Sequence, residues 1–146
     1  MQRRNGVGSS QYRVFQWPVR VYWEDTDAGG IVYHANYLRF FERARSEWLR
    51  AAGFDQEKLR AQADLLFVVH RMQIAFSAPA RLDDLLTATV EPQPPRGASF
   101  IVTQRLVREP GTRALVEAQV RIACLDALRL RPRAIPEHLL QGLVRT

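Results

Sequence analysis

The chain has 146 residues, of which 47% are hydrophobic and 25% are charged, and this composition is typical of a globular protein rather than a disordered one. A chain of this length fits one domain that can bury a core without disulfides or a structural metal. The formal net charge is +6, but the basic residues are scattered and form no helix-turn-helix or RNA-binding pattern. We therefore expect no nucleic-acid partner, and a phosphorylated small ligand or an anionic membrane surface explains the charge at least as well.

The N-terminal stretch and the single cysteine indicate the cellular compartment of the protein. No apolar run approaches the ~18 residues of a membrane-spanning helix, and MQRRNGVGSSQ lacks the apolar core of a signal peptide, so we expect a cytoplasmic protein. Cys124 agrees with a reducing compartment, and its apolar neighbours predict a buried residue rather than a catalytic thiol. Residues 1–10 predict a disordered tail, which leaves residues 11–146 as a single domain.

The first predicted strand is a near-alternating aromatic and branched segment from Gln11 to Trp23, in which Pro18 favours a sheet edge or a bulge. It leads into an acidic turn that holds Asp25 and Asp27 and then two adjacent glycines. Such glycines allow backbone angles that are closed to other residues, and they leave amide groups uncovered. We expect a sharp turn here, with Asp25 helping to form it.

A long amphipathic helix is predicted to start near residues 34–36 and to end at Gly53, which can adopt the left-handed conformation of a helix C-terminus. Its first turn leaves N–H groups without partners at the positive end of the helix dipole, where developing negative charge is stabilised. Glu42 and Arg45 are spaced for an ion pair on this helix, and residues 55–62 predict a second helix capped by Asp55. The apolar positions that recur at three- and four-residue steps are Tyr37, Phe40, Phe41, Ala44, Trp48 and Leu49.

Four strand-like runs follow the helices. They are residues 65–77, 85–92, 98–109 and 114–126. A short turn joins the last two runs and predicts an antiparallel pair. Residues 128–136 predict a further edge strand that Pro132 ends, and Pro136 precedes a short terminal helix. One long helix followed by meander strands predicts an α+β fold whose sheet buries its apolar face on that helix.

The segment DTDAGGIVYHANYLRFFERAR resembles the signature of the 4-hydroxybenzoyl-CoA thioesterase family, especially its branch of acyl-CoA thioesterases encoded with the bacterial Tol-Pal envelope system. The segments APARLDD, GASFIVTQRLV and LRLRPRAIP resemble that branch in order and spacing, so the resemblance covers roughly residues 14–140. It implies a hotdog fold, in which an antiparallel sheet wraps around a central helix. It also implies hydrolysis of an acyl-CoA thioester to the free acid and CoA, with no metal and no redox cofactor.

Asp27 is the predicted catalytic carboxylate. A carboxylate just before an open helix N-terminus can attack a thioester carbonyl directly or act as general base on a water, while helix N–H groups stabilise the oxyanion. The residues alone favour an aspartate that only hydrogen-bonds the turn amides, as is common before glycine. The resemblance reverses this preference, because Asp27 falls on the family's catalytic carboxylate.

The resemblance also assigns roles around the helix entrance. His34 is expected to contact the thioester oxygen or position water, and its backbone N–H is a candidate oxyanion donor. Tyr33, Asn36 and Tyr37 are expected to line the acyl pocket, although the helical spacing of Tyr37 fits a core residue equally well. Arg96, between two predicted strands, is expected to bind the CoA phosphates, with a solvated loop arginine as the alternative.

The predicted partners follow from the same features. An unpaired sheet edge usually pairs or is blocked, and we expect the apolar run ASFIVTQRLV to supply such an edge in a homo-oligomer, a dimer or tetramer with sites between subunits. Acyl carrier protein and a peripheral membrane surface are further candidate partners. Two alternatives stay open, namely a dehydratase or hydratase of the same fold and a non-catalytic module that binds acyl carrier protein or envelope partners.

Overall fold

The computed structural model describes residues 13–146, so the predicted N-terminal tail and the first two residues of the predicted first strand lie outside the described residues. Within that range, no helix is long and apolar enough to cross a membrane. The elements found in residues 13–146 are β1 (Phe15–Arg20), a 3₁₀ turn (Trp23–Asp25), α1 (Asn36–Ala51), α2 (Gln56–Ala63), β2 (Leu65–Phe76), β3 (Leu85–Pro92), β4 (Ser99–Arg108), β5 (Ala114–Asp126) and α3 (Glu137–Val144).

The five strands of the described residues form one antiparallel sheet in the order β1-β3-β4-β5-β2. β4 and β5 pair as predicted, for example Val102 with Val120. Their side chains alternate between buried and more exposed positions, so one face of the sheet is apolar. α1 packs its apolar stripe on this face, where Phe40 and Phe41 are completely buried. The predicted α+β hotdog fold is confirmed.

The predicted sheet edge is wrong. The run ASFIVTQRLV forms β4, which lies at the centre of the sheet between β3 and β5. The outer strands of the described sheet are β1, which carries Pro18 at an edge as predicted, and the 12-residue β2. The strands β3 and β5 flank β4 on both sides, which explains why β4 is apolar. The composition of a strand does not distinguish such a central strand from an apolar edge strand.

The predicted strand over residues 128–136 is also wrong, since this segment is a loop after β5 with one isolated bridge between Leu125 and Pro132. Asp126 causes the turn, because its Oδ1 accepts hydrogen bonds from Leu128 N at 3.0 Å and Arg129 N at 2.8 Å. Leu130 then takes a positive φ of 54°. The predicted terminal helix is confirmed as α3, which follows Pro136.

The ends of the first two helices follow the sequence signals. Gly53 has a φ of +91° just after α1, and Asp55 caps α2 by accepting from Lys58 N at 2.8 Å. The prediction of an ion pair between Glu42 and Arg45 is wrong, because the described residues 13–146 show no such contact. Arg45 instead donates to Gln104 Oε1 at 2.8 Å.

Gln104 is a completely buried polar side chain in the middle of β4. Its Nε2 donates to the backbone oxygens of Phe41, at 3.1 Å, and Thr89, at 3.3 Å. Gln104 therefore ties the Arg45 side chain and the α1 backbone to the sheet. Burial lowers the pKa of Arg45 below its usual value.

Candidate active site

Asp27 lies at the first corner of a tight turn between Thr26 and Val32, which form a bridge with each other. Its backbone N donates to Ile31 O at 2.9 Å, and its carbonyl oxygen accepts from Gly30 N at 3.0 Å. Gly30 has a φ of +77°, a conformation that glycine adopts without strain. The predicted sharp turn is confirmed, and these backbone bonds fix the position of Asp27.

The Asp27 carboxylate is exposed and only partly engaged. Its Oδ1 accepts a hydrogen bond from Gly29 N at 2.8 Å, so the turn-capping interaction is present. Its Oδ2 has no hydrogen-bond partner within residues 13–146. A Cβ on Gly29 would lie 3.1 Å from Oδ1, so glycine leaves the room that this carboxylate occupies. The geometry holds one oxygen and leaves the other open to a ligand, and the catalytic role of Asp27 stays a prediction.

The N-terminus of α1 is open. Ala35 occupies the N-cap position without a side-chain hydrogen bond, and the first turn carries no acidic residue. The backbone N–H groups of His34 and Ala35 donate to no acceptor in the described part of the chain. Helices usually close this end with a Ser, Thr, Asp or Asn side chain. An uncapped end presents N–H groups and the positive dipole end to an anion.

A buried carboxylate–amide pair joins the turn to α1. Asp25 is 5% exposed and Asn36 is 6% exposed, and Asn36 Nδ2 donates to Asp25 Oδ1 at 2.7 Å. Asp25 Oδ2 accepts from Tyr22 N at 2.8 Å, and Asp25 O accepts from Tyr33 N at 2.9 Å. Asp25 thus acts as the turn-forming residue that the sequence predicts. Asn36 lies behind the helix entrance rather than at its surface.

Aromatic side chains surround the helix entrance. The rings of Tyr33 and His34, both exposed, lie 4.7 Å apart between centroids, and His34 meets Phe76 edge-on at 6.4 Å. Phe76 ends β2, is 49% exposed, and also contacts Tyr37 at 5.7 Å. Sequence reasoning missed Phe76, because it lies far along the chain from the turn. Its only sequence signal is an apolar residue at the end of a strand.

Tyr37 belongs to the core, the alternative that its spacing left open. It is 4% exposed, and its hydroxyl oxygen accepts a hydrogen bond from Ala80 N at 3.0 Å. Burial raises the pKa of Tyr37 above its usual value. Ala80 O in turn accepts from Val32 N at 2.9 Å. Tyr37 therefore helps to dock the segment before β3 against the Asp27 turn.

Arg96 lies in the turn between β3 and β4, where its backbone bonds with Ser99. The Asp27 turn contacts Ala80 and Arg81, a few residues before the start of β3, whereas Arg96 follows the end of this eight-residue strand. The strand spans roughly 24 Å, so one chain does not bring Arg96 to Asp27. The phosphate-binding role of Arg96 stays a prediction.

Sequence reasoning also missed a basic loop beside Arg96. Cys124 N donates to Ala98 O at 2.7 Å, and Cys124 O accepts from Arg133 N at 2.9 Å, which places the loop after β5 at the same end of the sheet. The loop exposes Arg129 and Arg131. The sequence signal for this loop is the alternating RLRPR pattern, which is equally typical of a strand.

The profile of the thioesterase-like superfamily matches residues 21–143, a range that contains the turn, α1, the strands β2 to β5 and the basic loop. The chain belongs to the thioesterase-like superfamily. This confirms the family that the sequence motif indicates. The motif residues Asp25 to Arg45 form the turn and the first ten residues of α1, so the superfamily signature and the candidate site coincide in space.

Curated members of the superfamily are similar along most of the chain. The acyl-CoA thioester hydrolase YbgC of Escherichia coli O157:H7 is 50% identical over 126 residues, which is 86% of this chain and 92% of that protein. The acyl-CoA thioesterase YbgC of Haemophilus influenzae is 47% identical over 125 residues, 86% of this chain and 90% of that one. Among solved structures, a probable thioesterase from Bartonella henselae superposes with a TM-score of 0.79 at 41% identity, covering 85% of this chain and 100% of that chain.

Proposed function

We propose that this protein hydrolyses acyl-CoA thioesters to a free carboxylic acid and CoA. The observation that carries the proposal is the pairing of a half-engaged Asp27 carboxylate with an uncapped helix N-terminus in one hydrogen-bonded unit. Thioester hydrolysis needs a nucleophile or base beside donors for a developing oxyanion. The activities named for the YbgC relatives, at 50% and 47% identity, support the same chemistry.

Two routes use this arrangement. In the first, Asp27 Oδ2 attacks the thioester carbon and expels the CoA thiolate, and water then hydrolyses the resulting anhydride. In the second, Asp27 takes a proton from a water that attacks the same carbon, and the proton passes to the leaving thiolate. In both routes the His34 N–H stabilises the oxyanion, and the His34 imidazole contacts the thioester oxygen or the water.

We further propose that the cationic end of the sheet binds the CoA phosphates. Arg96, Arg129 and Arg131 are exposed there, and arginine matches phosphate geometry well. Because this end lies about one strand length from the Asp27 turn of the same chain, these arginines serve the site of a neighbouring copy.

The assembly proposed here uses β2. This strand has 12 residues, and its outer edge pairs with no strand in residues 13–146. A long unblocked edge usually finds a partner, so we propose a homodimer through β2 that associates further into a tetramer. Sedimentation at assay concentration tests this, because a fully active monomer would contradict it. A cytoplasmic location, association with the Tol-Pal system, and contacts with acyl carrier protein or a membrane surface remain proposals as well.

The test of the activity is CoA release. Purified protein is incubated with acyl-CoAs of increasing chain length and with an aromatic acyl-CoA, in the presence of a thiol indicator. A thioesterase releases thiol in proportion to time and enzyme. A dehydratase or hydratase changes the acyl group without releasing thiol, and a binding module leaves both unchanged. No thiol release from any of these substrates would overturn the proposal.

A further inference from the structure

The segment between β2 and β3 lies directly against the Asp27 turn. Val32 N donates to Ala80 O at 2.9 Å, and Ile31 forms an isolated bridge with Arg81. These contacts join the backbone of the turn to the backbone of the segment. The position of the turn therefore depends on what holds the segment in place.

Arg108, the last residue of β4, holds the segment at two points. Its Nη2 donates to Pro79 O at 2.6 Å, and its Nε donates to Asp84 Oδ2 at 3.0 Å. The same Asp84 oxygen accepts from Arg81 N at 2.8 Å. One guanidinium thus binds on both sides of the two residues that contact the Asp27 turn.

The other bonds of the segment leave this support to Arg108. Backbone hydrogen bonds tie the two flanks of the segment to Leu115 and Val21. Between the flanks, Tyr37 holds the segment from the α1 side. Arg108 is the only side chain of the sheet that hydrogen-bonds residues 79–82 in the described part of the chain.

We propose that Arg108 is a positioning residue, which holds the segment against the Asp27 turn and thereby sets the position of the Asp27 carboxylate. This inference rests on the proposed hydrolase function. Arg108 acts through Asp84 and the segment, without contact to the substrate. A nucleophile or base must lie within hydrogen-bond reach of its target, and a displacement of about 1 Å can lower the rate by about 100-fold.

The decisive variant is Arg108→Ala, with Arg105→Ala as the matched control. Both arginines lie on β4, and their side chains are 40% and 50% exposed. Each has one carboxylate partner, which for Arg105 is Glu117 at 3.3 Å. For the acyl-CoA that is hydrolysed fastest, we expect Arg108→Ala to lower kcat by about tenfold and to leave KM within about twofold. Arg105→Ala should change neither.

Two further variants separate positioning from general stability. Arg108→Lys keeps the charge but lacks the planar fork that reaches two acceptors, so it should restore only part of kcat. Arg108→Ala combined with Asp27→Asn should be no slower than Asp27→Asn alone, because Arg108 acts on the rate through Asp27. A residue that only raised the folded fraction would lower kcat equally in both backgrounds.

Hydrogen exchange gives a readout that does not depend on hydrolysis. The amides of Val32 and Ala80 report on the contact between the turn and the segment. In Arg108→Ala they should exchange about tenfold faster, whereas Arg105→Ala should leave them unchanged. The amide of Val102, at the centre of β4, should exchange at the same rate in both variants, which distinguishes local opening from global unfolding.

Three results would overturn the inference. They are a normal kcat for folded Arg108→Ala, an equal loss for Arg105→Ala, and an Arg108→Ala loss that is as large in the Asp27→Asn background as in the parent protein. Failure of the hydrolase function is a different result, because the parent protein then releases no thiol from any acyl-CoA. The exchange measurement still tests in that case whether Arg108 holds the turn.

Discussion

Replacing Asn36 by alanine tests which of two roles this residue has. It either lines the acyl pocket or supports the turn that contains Asp25. The substitution removes the amide that donates to the buried Asp25 Oδ1 at 2.7 Å and leaves that oxygen without a partner in the described residues. A hydrogen bond to a charged group contributes about 1.5–3 kcal/mol. For a chain of this size, each kcal/mol corresponds to roughly 2–4 °C in Tm, so we expect Tm to fall by about 3–12 °C.

The matched variant is Asn36→Asp, which keeps the shape and places a second carboxylate against Asp25. Repulsion makes one of the two carboxylates hold a proton in the folded state, so the folded protein binds more protons than the unfolded chain. The free energy of unfolding of this variant should therefore fall as the pH rises from about 5 to about 8. Thermal melting at both pH values measures this. A normal Tm for Asn36→Ala, together with a raised KM, would refute the supporting role and favour direct substrate contact.

Three further outcomes are expected. Tyr37→Phe leaves the buried Ala80 N–H unpaired, so chemical denaturation should show a loss of about 1–3 kcal/mol, whereas a large fall in kcat/KM with unchanged stability would contradict a core role. Arg96→Ala should raise KM about tenfold for acyl-CoA but not for a short thioester without the nucleotide, with the exposed Arg43→Ala as control; equal effects on both substrates would count against phosphate binding. Burial raises the pKa of the Cys124 thiol, so a thiol reagent at about pH 8 should label it only after unfolding, and rapid labelling of the native protein would contradict its burial.

Local elements could be predicted from the sequence because their signals are local. The spacing of apolar residues gave α1, Gly53 marked its end, and Asp55 marked the start of α2. The strand bounds agreed within one or two residues for β2 to β5. The first predicted strand, residues 11–23, extends beyond β1, because β1 ends at Arg20 and Trp23 begins a 3₁₀ turn.

Long-range arrangement could not be predicted in the same way. The central position of β4 depends on which strands flank it, and its own residues do not encode that choice. Arg45 donates to Gln104 rather than pairing with Glu42, because α1 packs against β4. The two residues are 59 positions apart in sequence, so helical spacing does not indicate this contact. In the loop after β5, Asp126 accepts hydrogen bonds from two backbone amides, and its own backbone bonds to Leu130 and Arg131, so a turn forms despite the strand-like alternation.

In the candidate site, too, the residues with local sequence signals could be predicted and those placed by long-range packing could not. The turn with Asp27 and the helix entrance with His34 are contiguous in sequence, and the motif indicated both. Asn36 and Tyr37 lie on the buried side of α1, and helical spacing alone could not separate a pocket wall from a core. Phe76 reaches the entrance only through the packing of β2 beside α1.

Cleavage by an Asp27→Asn variant is the measurement on which the proposed function depends. The amide oxygen of asparagine can still accept the Gly29 hydrogen bond, so the turn should keep its shape and Tm should not change. The charge and basicity are lost, and kcat/KM for acyl-CoA should fall by on the order of 100-fold or more. Glu24→Gln, which removes an exposed carboxylate three residues earlier, should retain full activity. A folded Asp27→Asn protein with near-normal kcat/KM would contradict the assignment of Asp27 as the catalytic carboxylate.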